Sequence, residues 1–124
     1  MSRITKKFLA DTYVESLRSF NAQTGTTYTF VLADGSGPGE NPLVTFNNAS
    51  PVTVTVPANS SVAFPIGTQI DCVQEGAGKV TFAPAGGVTI KSSGSNLAIG
   101  ARYVGVTLIK TATDTWYLLG NLIA

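Results

Sequence analysis

The sequence has no histidine, one cysteine and little charge, and each shortage narrows what the chain can do. Without histidine it lacks the commonest general base near neutral pH, the usual partner of a catalytic nucleophile and the commonest transition-metal ligand. A tetrahedral zinc site cannot be assembled from Cys72 without histidine. A single cysteine also excludes a disulfide framework within the chain, which fits synthesis in a reducing cytoplasm better than secretion. Placed between Ile70 and Val73, Cys72 reads as a small buried hydrophobe. No window approaches the roughly 18 consecutive apolar residues of a membrane helix, and the opening residues lack the apolar run of a signal peptide. Neither a cofactor nor a membrane partner is expected.

Charged residues make up 12% of the chain, against about 25% in ordinary soluble domains. Thr, Ser and Asn take much of the difference, and they suit strands and turns. Like-charge repulsion and ionic hydration keep sheets apart, so a surface this poor in charge predicts association, as an obligate oligomer or a part of a larger assembly. With 124 residues the chain fits one domain. Its net charge of +1 gives no reason to expect nucleic acid as a partner. The charge is unevenly placed, however. Arg3, Lys6, Lys7 and Arg18 against Asp11 and Glu15 make the first 20 residues mildly basic, while the rest is slightly acidic.

What the sequence does have is alternation. Residues 52–82 alternate apolar with small polar residues, pause at Pro57-Ala58-Asn59, resume, pause at Gly76-Ala77-Gly78 and resume again. Such patterning predicts strands joined by turns. Similar stretches occur at residues 26–33, 43–46, 62–66, 88–90, 97–99, 103–110 and 116–119, separated by Gly-, Pro- and Asn-rich turns. About nine or ten short strands at spacings of roughly 8–12 residues predict an all-β domain: an antiparallel sandwich, a barrel-like closure or a prism. No internal repeat is clear enough to indicate a solenoid. Residues 1–23 differ in character and read as an anchoring arm ahead of a β-rich body over 24–124. A helix within residues 5–19 is one option, capped by Thr5 and stapled by Ile4 and Leu9. An extended arm is the other.

Motifs for chemistry are weak. The seven carboxylates are scattered over different elements, without the pairing a glycosidase needs. The loop from Asp34 to Pro42 looks faintly like a calcium loop, but Pro38 stands at its fifth position and Thr45 where the bidentate glutamate belongs. Gly76-Ala77-Gly78-Lys79 lacks the first glycine and the final Ser/Thr of a phosphate loop, and reads as a hairpin turn. No enzyme is expected. Tyr28, Tyr103, Trp116 and Tyr117 could line a carbohydrate-binding face, although aromatics at alternating strand positions are more often core or interface.

Two stretches are familiar together. The opening, Ser2 to Asp11, resembles the N-terminus of many small structural proteins of tailed bacteriophages. The body, through the ordered set NNAS, VPANSSVAFPIGTQI, QEGAGKVTF and LIKTATDTWYLLG, is similar to a β-domain common in phage tail fibres and other virion appendages. The resemblance spans nearly all of the chain, and it implies a virion protein made in the host cytoplasm, with β-domains packed as a homotrimer. With no shaft or long coiled coil, the chain is expected to be a complete short protein, which favours a capsid decoration or head-fibre protein over a full tail fibre. In that reading Arg3, Lys6 and Lys7 meet an acidic shell surface while Ile4, Phe8 and Leu9 fill apolar grooves. The alternative is a tail or appendage module that binds host-surface glycan through exposed aromatics and the Asp34–Pro42 loop.

Overall fold

Val52, Val54 and Val56 are buried and Thr53 is exposed, the two-residue period of a strand with one face on a core. The computed structural model describes residues 17–37 and 41–124, and the same rule builds eleven strands over them. These are β1 (Phe20–Gln23), β2 (Thr27–Thr29), β3 (Leu43–Phe46), β4 (Val52–Val56), β5 (Gln69–Gln74), β6 (Val80–Pro84), β7 (Thr89–Ser92), β8 (Ala98–Ile99), β9 (Gly105–Ala112), β10 (Thr115–Gly120) and β11 (Leu122–Ile123). Two short 3-10 turns, Leu32–Asp34 and Ser93–Ser95, are the helical content of the described residues. The protein is all-β, as its patterning predicts.

The strands form two sheets, ordered β1-β3-β5-β9-β10-β7 and β11-β8-β6-β4-β2. In the first, β1, β3 and β5 run parallel, with Phe20 beside Leu43 and Leu43 beside Asp71. In the second, β2, β4 and β6 run parallel, with Tyr28 beside Val54 and Val54 beside Phe82. The chain therefore crosses to the other sheet after every strand, and three such circuits stack on one another. This winding is that of a β-solenoid.

Corners between the sheets stack as well. Asn47 N–H donates to Gln23 O at 2.9 Å, and Gly78 N–H donates to Asn48 O at 2.8 Å, so the turn of each circuit rests on the one before. Asn48 Nδ2 reaches back to Thr24 O at 2.8 Å. Glycine is required where these turns touch: a Cβ on Gly76 or Gly78 would run into the backbone of Asn48 or Ser50.

The expectation of an antiparallel sandwich, barrel or prism is thus corrected in its connectivity. Gly76-Ala77-Gly78 is a corner between sheets and not a hairpin turn. Alternation specifies which face of a strand is buried and leaves open which neighbour it pairs with, so hairpin and coil read alike. The absent sequence repeat has a physical reason too. Successive circuits differ in length by several residues, and the repetition lies in space alone.

Beyond the third circuit the direction of pairing changes. β9 lies antiparallel on β5, β8 antiparallel on β6, and β10 antiparallel on β9, while β7 pairs parallel with β10 at the far edge. β11 completes the second sheet against β8. One core joins both halves, with Phe30 stacked on Phe82 at a ring separation of 6.2 Å and Phe64 edge-on to Trp116 at 5.4 Å.

Some local expectations fall differently. Residues 57–68 form no strand, because turns at Ala58 and Pro65 close on themselves through Ser61 N–H to Ala58 O and Thr68 N–H to Pro65 O. Tyr103 precedes β9 in a loop, at a left-handed φ of 66°. β1 comes from the last residues of the stretch read as an arm. The expected helix within residues 5–19 and the proposed anchoring residues Arg3, Ile4, Lys6, Lys7, Phe8 and Leu9 lie outside the described residues, apart from residues 17–19.

Candidate binding surfaces

The root of the arm is held by one side chain. Arg18 donates from Nε to Asn41 O (2.9 Å) and from Nη2 to Pro42 O (2.9 Å) and Asp71 Oδ2 (2.8 Å). This clamp binds the entry of β1 to β3 and β5. Burial alone would raise the Asp71 carboxyl, but hydrogen bonds from Thr107, Gln69 and Arg18, with the Arg18 charge, outweigh it and hold it below its ordinary range. On either side of the clamp, Leu17 is 59% and Phe20 70% exposed, an apolar pair at β1, the edge strand of its sheet among the described residues.

The four aromatics proposed for carbohydrate are not brought together. Trp116 is buried in the core and presents no stacking face, a correction that follows from its inward position on β10. Tyr28 is half-buried, and its hydroxyl donates to Asp34 Oδ2 at 2.7 Å. Desolvation, and next the bond to Asp34, push that hydroxyl up to about 12. Tyr117 points outward from β10 and Tyr103 is 70% exposed, with the Arg102 guanidinium 4.9 Å over its ring.

An apolar cleft of about 490 Å³ lies between residues 32–37 and 64–68, walled by Leu32, Ala33, Phe64 and Pro65. Exposed Val31, Leu32 and Ile66 stand on or beside it. The start of the Asp34–Pro42 loop turns inward instead of outward. Asp34 is buried and accepts from Asn21 Nδ2 (2.7 Å), Tyr28 Oη (2.7 Å) and Val31 N–H (2.9 Å), which satisfies a carboxylate that would be costly to bury alone. It is a strut between β1, β2 and the 3-10 turn.

Sequence reading missed Lys110, which is buried on the inward face of β9; nothing in the alternating pattern separates an inward lysine from a strand-ending one. Cys72 is buried as expected, and desolvation, then the nearby Asp34 and Asp71 charges, raise its thiol well above its ordinary range. Among the described residues no three His, Cys, Asp or Glu side chains are grouped to hold a metal ion, and no helix is long and apolar enough to cross a membrane.

No family model, curated protein or solved structure matches the chain.

Proposed function

We propose that this protein is a structural component of a tailed-phage virion, a capsid decoration or head-fibre protein that attaches through the segment before β1. The observation that carries this reading is the root of that segment. Leu17 and Phe20 are exposed beside the Arg18 clamp, at a sheet edge that ends the described strands, in a chain with only 12% charge. Exposed apolar side chains of this size next to unpaired strand edges mark surfaces that another protein covers. In the sequence before β1, Arg3, Lys6, Lys7, Ile4, Phe8 and Leu9 supply the same mixture of basic and apolar groups for contact with the shell. The β-body trimerises and faces outward, and its work is mechanical and non-catalytic: contacts bridging neighbouring shell subunits stabilise the shell by mass action. The resemblance of the opening and the body to virion proteins supports the same assignment.

The test is sedimentation of the purified protein with empty shells of the phage that encodes it. Removal of residues 2–16 spares β1 and the Arg18 clamp, so the truncated protein should keep its fold and its oligomeric mass yet fail to sediment with shells. Retained binding would overturn the anchor.

Exposure of Tyr103 and Tyr117 favours a second reading, an appendage module that binds host-surface glycan. Binding to a glycan array that is lost in Tyr103→Ala would support it. A blank array with a well-folded trimer would remove it.

A further inference from the structure

Lys110 occupies a position built for an apolar residue. Val106, Leu108 and Lys110 face inward on β9, and Lys110 lies opposite buried Trp116 on β10. It is 2% exposed, and among the described residues no carboxylate lies within 4.0 Å of its amine. Its Nζ donates instead to two neutral oxygens, Phe64 O at 2.7 Å and the side-chain Oδ1 of Asn59 at 2.7 Å. A buried ammonium held only by neutral groups is an expensive arrangement, since no opposite charge offsets its lost hydration.

Asn59 is held in place from the other side. Its backbone N–H donates to Asp114 Oδ1 at 2.6 Å, and Asp114 sits at the β9–β10 turn with a left-handed φ of 59°. Lys110 and Asp114 therefore grip one asparagine from the two ends of a single turn. With a carbonyl bond of about 1.23 Å, the amide carbon of Asn59 lies within about 3.9 Å of Nζ. Even at that upper bound the carbon is only a few tenths of an ångström beyond the ~3–3.5 Å of a near-attack arrangement.

We propose that Lys110 and Asn59 join in an intramolecular isopeptide bond. Lys110 passes a proton to the Asn59 Oδ1 it already donates to, the lone pair so freed attacks Cγ, the new C–N bond forms, and the Cγ–Nδ2 bond breaks as Nδ2 takes up the protons. The lysine enters as ammonium and the departing nitrogen leaves as ammonium, so protons and charge balance without an oxidant, a reductant or any other reactant. Asp114 is a positioning residue that fixes the Asn59 backbone. The product replaces a buried charge with a neutral amide and ties the 57–68 loop covalently to β9. In a shell component under mechanical load, that link prevents the loop from peeling away.

The test is the intact mass of the full-length protein under denaturing conditions, followed by fragmentation of its proteolytic peptides. The bond predicts a mass lower by about 17 Da, the lost ammonia, and a branched peptide joining the Asn59 and Lys110 segments. Lys110→Arg keeps the positive charge but offers no amine nucleophile, and Asn59→Ser removes the acceptor; both should show the full sequence mass. Asp114→Ala should slow the appearance of the lighter species. Wild-type protein at the full sequence mass after prolonged incubation overturns the proposal. So does a 17 Da loss that persists in Lys110→Arg, which would mark a cyclic imide at an asparagine instead. Because the wild-type measurement decides by itself, a variant that fails to fold does not rescue the idea.

Discussion

The two halves of the molecule bury the same kinds of side chain by opposite means. Strands β1 to β6 wind as parallel circuits whose corners stack backbone on backbone, whereas β8 and β9 return antiparallel beside β6 and β5 and close the last circuit. In the wound half every circuit repeats the contact of the one below, so an error at a corner is shared by two turns. In the returning half the loops meet only here and there, as where Gly100 N–H donates to Asn121 O at 2.8 Å, and no corner repeats the one before it. One end of the wound stack is covered by the chain's own strands, and the other, at β1 and β2, carries exposed Leu17 and Phe20. That asymmetry is why the proposed attachment is assigned to the first circuit.

The comparison breaks most visibly at glycine. Gly78→Ala drives a methyl into the Ser50 carbonyl, which is backbone and cannot swing away, and should cost about 3 kcal/mol or more. Gly86→Ala, in the loop after β6, meets nothing within 4 Å and should lie within about 1 kcal/mol of neutral, on the stabilising side if on either. Urea unfolding of the two variants reads the difference directly; equal effects would mean that the corners do not stack.

Next in size is the strut at the start of the coil. Asp34→Asn places an amide donor among the donors of Asn21, Tyr28 and Val31 and should destabilise by about 1–3 kcal/mol, again by urea unfolding. The same strut makes stability fall at high pH. Tyr28 ionises at about 12 in the fold against an ordinary 10.0, so its contribution is whole below pH 10 and is lost as pH rises through about 12. Tyr28→Phe should flatten that alkaline limb.

The smallest effect is expected at the Arg18–Asp71 clamp, which is partly solvated. Arg18→Ala should cost about 0.2–1 kcal/mol and less at high salt. Asp71 titrates below its ordinary 3.8 in the fold, so its contribution is present above pH 3.8 and disappears as pH falls through the lowered value. An acid limb unchanged by Asp71→Asn would remove the clamp from the account.

Alternation in the sequence was sufficient to place β3, β4, β6 and β10, and Cys72, read as a small buried hydrophobe, is in the core. Pairing was beyond it, because Gly76-Ala77-Gly78 satisfies a hairpin and a coil corner equally well. Trp116 and Tyr117 show the limit at the site: adjacent aromatics on one strand must face opposite ways, so a face formed by both was never geometrically available. Residues 62–66 misled for a related reason. Val62, Phe64 and Ile66 alternate as a strand would, yet Pro65 lacks an N–H to donate to a ladder, and Lys110 takes the Phe64 carbonyl. A lysine reaching across the core leaves no periodic signal.

The most direct measurement is co-sedimentation of the full-length protein and of the chain lacking residues 2–16 with empty phage shells, with oligomeric mass read by light scattering. The account predicts two trimers, of which only the full-length one travels with the shell. A truncated protein that sediments equally well, or a full-length trimer that ignores shells, would contradict it.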